Sequence, residues 1–149
     1  MGTIILIAVL GAIISAITGT LWYSGSTPMG KWHMEYLGFN NLTDEEKKRL
    51  MAEAKPKMFK LYSAQMLLSL LTSLFIGFTA SYTVQNGGAV SAVYYYVLMA
   101  WAAFTLPQIG QGLLWGKVEK GLAWKKFFSD NLYNLITFLI IAWVATLLI

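Results

Sequence analysis

The residues best placed to do chemistry in this 149-residue sequence are neutral amides: Gln65, Gln108, Gln111, Asn131 and Asn134. Each stands near the end of an apolar stretch, and Trp22, Tyr23 and Ser24 close another stretch of the same kind. An unpaired amide moved from water into a solvent such as cyclohexane costs roughly 4 to 8 kcal/mol, so these groups need partners. Amides three residues apart share a helix face, as Gln108 with Gln111 and Asn131 with Asn134 would. One reading is an interhelical hydrogen-bond cluster of roughly 1 kcal/mol per bond. A second is a pocket for a neutral or amphipathic small molecule, and a third is a subunit contact.

Other chemistry is poorly supplied. There is no cysteine, which excludes disulfides, thiolate metal sites and thiol catalysis. The single histidine, His33, stands beside Trp32 and reads as a surface or anchoring residue. Three long segments, Met1–Gly30, Leu61–Gly116 and Asn131–Ile149, hold no Asp, Glu, Lys, Arg or His. Proton relays, metal sites and ion-coupled carriers in membranes are usually built on such groups. No catalytic residue, metal ligand or cofactor site is therefore assigned, and the chain reads as no enzyme.

The elements that must position the amides follow from those gaps. With 57% hydrophobic and 12% charged residues, the chain departs from the balance of soluble domains. One bilayer crossing takes about 20 apolar residues, so the outer gaps hold one span each. The middle gap holds two, separated by Gln85-Asn86-Gly87-Gly88, a turn-forming run. The expected fold is an all-α, single-domain integral membrane bundle of four transmembrane helices. Its spans are placed at 3–23, 59–83, 90–115 and 128–149, its loops at 24–58 and 116–127, and a short turn at 84–89.

All eleven Lys and Arg fall in two segments, Lys31–Lys60 and Lys117–Lys126, on one face of the membrane. The positive-inside rule puts that face in the cytoplasm of a cell (inner) membrane, with N- and C-termini outside. Basic residues alternate with acids beside helix ends, which fits anionic lipid headgroups and not nucleic acid.

Within the first loop, Lys31–Gly38 reads as a short interfacial helix with Gly38 as its stop. Thr43 and Glu46 form a capping box that starts a second, amphipathic one. Asp44–Lys48, Glu45–Arg49 and Glu53–Lys57 are spaced as ion pairs, and Pro56 is expected to break or kink this helix. Gly11, Ser15 and Gly19 leave one stripe of the first span nearly bare, and Gly112 and Gly116 form a second small pair. Both permit close packing, within the chain or between subunits of a homo-oligomer. Pro107 is expected to kink the third span and free a carbonyl, and Trp101, near mid-bilayer, needs an acceptor for its indole N–H.

Leu21-Trp22-Tyr23-Ser24 followed by Gly30-Lys31-Trp32 and Tyr36-Leu37-Gly38 resembles the DUF1761 family of small bacterial and archaeal membrane proteins. Trp101–Phe104, Trp115-Gly116-Lys117 and Tyr133 are compatible with that pattern, while Gly25 and Met29 stand where the family usually has Pro and Phe. The resemblance implies a four-helix membrane fold and no established chemistry. The leading expectation is a non-enzymatic, oligomeric structural or accessory component in contact with membrane lipids. The alternative is a small channel or carrier that binds its ligand at the amides.

Overall fold

The computed structural model describes residues 1–116 and 118–149, and only the backbone of Asn40. Lys117, counted above among the basic residues and in the 115–117 motif, lies outside the described residues. The described residues contain no strand, and four helical segments are long and apolar enough to cross a membrane.

The first, α1 (Gly2–Trp22), is roughly 30 Å long at 1.5 Å per residue, close to the thickness of a hydrocarbon core. A tight corner joins it to α2 (Pro28–Tyr36). Thr27 caps α2 by accepting from the Gly30 N–H at 2.9 Å, and its hydroxyl donates to the Trp22 carbonyl at 2.7 Å. Gly30 is needed here, because a Cβ would overlap the Ser24 carbonyl oxygen. Pro28 occupies the first turn of α2, where its missing N–H costs nothing. Gly38 ends this stretch in the left-handed region at φ 77°, as its expected role as a stop requires.

The capping box is present: Thr43 N–H donates to Glu46 Oε2 at 2.7 Å, and Glu46 N–H donates to Thr43 Oγ1 at 3.3 Å. The Thr43 N–H and hydroxyl, which both donate to Glu46 Oε2, lower the pKa of that carboxyl. The helix that follows, α3, runs unbroken from Asp44 to Gln85. The expected break at Pro56 is absent, and the second span is one part of a 42-residue helix. The carbonyl freed by Pro56 belongs to Ala52, which is exposed and open to water, so the chain stays helical. The ion pairs on its surface are Asp44–Lys47 and Arg49–Glu53, in place of the spacings expected.

At its far end α3 closes with a Schellman arrangement: Gly88 N–H reaches Thr83 O at 2.8 Å and Gly87 N–H reaches Val84 O at 3.1 Å. Gly87 takes φ 74°, which a side chain would resist. The third span comprises α4 (Val90–Ala100), a π turn (Trp101–Thr105) and α5 (Leu106–Trp115). The proline effect expected at Pro107 takes this form, a widened turn just ahead of the ring, with Leu106 N–H donating to Trp101 O. The Trp101 indole N–H is buried there without an acceptor among the described residues. The last helix, α6 (Lys120–Leu148), begins eight residues before the expected span, inside the basic segment.

Helix packing is closest between α1 and α3. Gly11 faces Ser73 so tightly that a Cβ would overlap the serine side chain, and Gly77 of α3 receives Ile7 in turn. Ile7, Ile76, Ala80, Val93, Val97 and Ile141 form a core biased toward the turn at Gly87. The opposite end, which carries the basic segments, is called the basic end below. There α5 packs mainly on α6 and the π turn, and the bundle is looser.

Candidate functional site

At the basic end the last turn of α1 docks on the first third of α6. Trp22 Nε1 donates to Ser129 Oγ at 3.1 Å, and the Tyr23 hydroxyl donates to Asp130 Oδ1 at 2.7 Å. The other carboxylate oxygen of Asp130 accepts from Lys126, one turn earlier on the same helix. Tyr133, one turn later, donates to the Ser15 carbonyl at 2.9 Å. Its ring lies against Gly19, where an added Cβ would sit 3.1 Å from the phenol oxygen. The bare stripe of α1 is therefore filled from within the chain, by Ser73 at Gly11 and Tyr133 at Gly19.

α2 completes the arrangement from the side. Lys125 pairs with Glu35 at 3.3 Å, and Lys126 lies over the Tyr36 ring, 5.2 Å from its centre. The His33 ring sits 4.9 Å from that of Tyr23. Burial and the nearby Lys126 ammonium lower the His33 pKa, with Asp130 opposing, so the imidazole is held neutral at pH 7. Its Nδ1 is buried without a partner among the described residues. This revises the reading of His33 as a surface anchor: the α1–α2 corner turns it inward.

Of these groups, Tyr23, His33, Asp130 and Tyr133 line one side of a cavity of about 670 Å³. Ser15, Gly19 and Tyr23 form its α1 wall, Tyr62, Gln65 and Ser69 its α3 wall, and α5 contributes Ile109. α2 adds His33, and α6 adds Asp130, Tyr133 and Asn134. The volume falls within the roughly 300 to 1,000 Å³ usual for small-molecule sites. A larger groove of about 800 Å³, between α3 and α4, is mostly aromatic and aliphatic and lacks convergent charged groups.

The residues singled out in the sequence divide into three sets. Tyr23, Gln65 and Asn134 line the cavity. Trp22 packs beside it and lines a small neighbouring groove, while Ser24 gives its carbonyl to Thr27 in the corner. Gln108 and Gln111 are exposed on α5, and Asn131 is buried with its amide donating to Phe127 O at 2.9 Å. The Asn134 amide likewise donates to its own helix, to Asp130 O at 2.7 Å. The two asparagines thus satisfy a donor locally instead of across the bundle. Of the small residues, Gly112 is exposed with open space around it, and Gly116 closes on the Gly112 carbonyl.

The residue that organises the site, Asp130, was not among the candidates. It lies one position before the charge-free segment and inside the span placed at 128–149, so that span holds an ionisable group. The available signal was Lys126-x-x-x-Asp130, an i,i+4 pair that required α6 to begin before Phe128. Among the described residues, no group of three His, Cys, Asp or Glu is placed to hold a metal.

No curated protein and no solved structure significantly matches the chain. A family model described as a protein of unknown function, DUF1761, matches residues 6–146. That match includes the α1–α2 corner, the π turn and the Asp130 region, and it spans nearly the whole sequence: the chain belongs to the DUF1761 family.

Proposed function

We propose that this is a multi-pass inner-membrane protein, without enzymatic activity, that binds a neutral or amphipathic small molecule in the cavity beside Asp130 and serves as a small carrier or channel. The cavity lies at the basic end, which the positive-inside rule assigns to the cytoplasm. The observation that carries the reading is convergence: all of α1, α2, α3, α5 and α6 line one polar cavity inside a mostly apolar bundle. Lys126 balances the charge of Asp130, and His33 is neutral, which favours an uncharged ligand group. Both Asp130 oxygens are already engaged, which fits binding better than proton abstraction.

The leading expectation from the sequence, an oligomeric structural component, rested on the glycine faces. Gly11 and Gly19 meet Ser73 and Tyr133 of the same chain, so that stripe is not free for a second copy.

The chain has no natural cysteine, so Gln65→Cys places a unique thiol on the cavity wall. In sealed vesicles, a water-soluble maleimide should reach it from the cytoplasmic side, and octyl glucoside below its micellar concentration should slow the reaction. A thiol inaccessible from that side, or one whose labelling is indifferent to the amphiphile, would reject the reading.

A further inference from the structure

The cavity has a side opening as well as an end. α5 packs mainly on α6 and the π turn, while α3 packs on α1, α4 and α6. α3 and α5 do not pack closely on each other, and Tyr62 and Met66, which line the cavity from α3, are 63% and 37% exposed. From Tyr23 to Ser15 the α1 wall runs about 12 Å at 1.5 Å per residue, so the cavity reaches well into the apolar span. The gap therefore lies level with the acyl chains of the basic-side leaflet. An occupant with a polar group inside and a hydrocarbon tail outside would leave no apolar surface in water and no polar group in lipid.

The polar groups at that opening define the head. Asn134 uses Nδ2 on the Asp130 carbonyl, which leaves its Oδ1 as an acceptor. Gln65 and Tyr62 offer donors and acceptors, and neutral His33 has an unpartnered Nδ1. A quinone brings only acceptors and would leave Asn134 Oδ1 unsatisfied. A phosphate or carboxylate would find one ammonium, Lys126, already paired with Asp130. Hydroxyl groups donate and accept at once, and the tyrosine rings at Tyr23, Tyr62 and Tyr133 suit the apolar faces between them.

Resting on the binding function proposed above, we infer that the ligand is an uncharged, hydroxylated lipid of the monoacylglycerol kind, which enters sideways between α3 and α5 with its head at Gln65 and Asn134.

The test uses the full chain in nanodiscs of dioleoylphosphatidylcholine and a monoacylglycerol with a photoreactive diazirine next to its ester. Cross-links should fall on Tyr62–Ser69 and around Ile109 and be displaced by unlabelled monooleoylglycerol, but not by oleate or decylubiquinone. Gln65→Leu, at an exposed position that does not endanger folding, should weaken displacement about three- to ten-fold, the loss of one neutral hydrogen bond. Equal displacement by all three competitors would overturn the hydroxylated head and leave the binding function standing. If octyl glucoside protects Gln65→Cys yet no displaceable cross-link forms in the cavity, side entry by a lipid is wrong. Failure of both the protection and the cross-link would overturn the binding function as well.

Discussion

The Tyr23 hydroxyl, one residue past the end of α1, donates to Asp130 Oδ1 across the α1–α6 contact at 2.7 Å. This bond, with Lys126 on the other oxygen, lets a carboxylate sit inside an apolar bundle. It also fixes the α1 end against the cavity floor.

Tyr23→Phe removes that donor and keeps the ring. A hydrogen bond to a charged group contributes about 1.5 to 3 kcal/mol, so the variant should unfold earlier in a detergent melt by an amount of this order. Asp130→Leu should be worse, because it strands a partly buried Lys126. An unchanged melt in both would separate stability from this bond.

Gly11 and Ser73 are predicted to be coupled. Gly11→Ala places a methyl onto the Ser73 side chain and should cost about 1 to 3 kcal/mol by overpacking. Adding Ser73→Gly should recover much of the loss, a coupling that a double-mutant cycle reads directly. A change in oligomer size without coupling would instead point to a contact between chains.

Gly30→Ala drives a Cβ into the Ser24 carbonyl oxygen, a backbone obstacle that cannot rotate away. We expect a loss near the upper end of the same range and freer exchange of α2 amides in hydrogen-exchange mass spectrometry. Gly25→Ala, in open space a few residues earlier, is the control and should be close to neutral.

His33 gives the pH dependence a sign. Its folded pKa lies below the ordinary 6.5, so below that pH the unfolded chain binds more protons and stability falls. The contribution is intact above pH 6.5 and is lost as the pH drops toward the lowered folded value. Lys126, Asp130 and Tyr23 face the ring, and Glu35 lies on its own helix. Melts of the native chain and of His33→Gln between pH 7 and pH 5 should converge at the upper limit and diverge at the lower. Parallel curves would exclude the imidazole.

The amides should behave differently from one another. Gln108→Leu and Gln111→Leu, both exposed on α5, are expected to leave cavity binding unchanged and to hold stability within about 0.5 kcal/mol. Asn134→Leu should lower displacement of the cavity cross-link several-fold. Equal effects at all three positions would mean that the cavity does not define the site.

The count of four apolar helices, the Thr43 capping box, the Gly38 stop and the turn at Gly87 were legible in the sequence. Each depends on interactions within a few residues, or on the length of an apolar run against a bilayer. The continuity of α3 through Pro56 was not legible, because it depends on whether the freed carbonyl at Ala52 meets water.

The membership of the site was decided only by tertiary structure. Gln108, Gln111, Asn131 and Asn134 look equivalent as neighbouring amides, yet the rotation of each helix brings only Asn134 to the cavity. Asp130 joins the site because α6 starts at Lys120, which sets Lys126 one turn before it, and because Tyr23, 107 positions away in the chain, meets its other oxygen. Sequence spacing reports what one helix presents along its own face. Which faces meet, and which charges can therefore be buried, depends on contacts between segments remote in the chain.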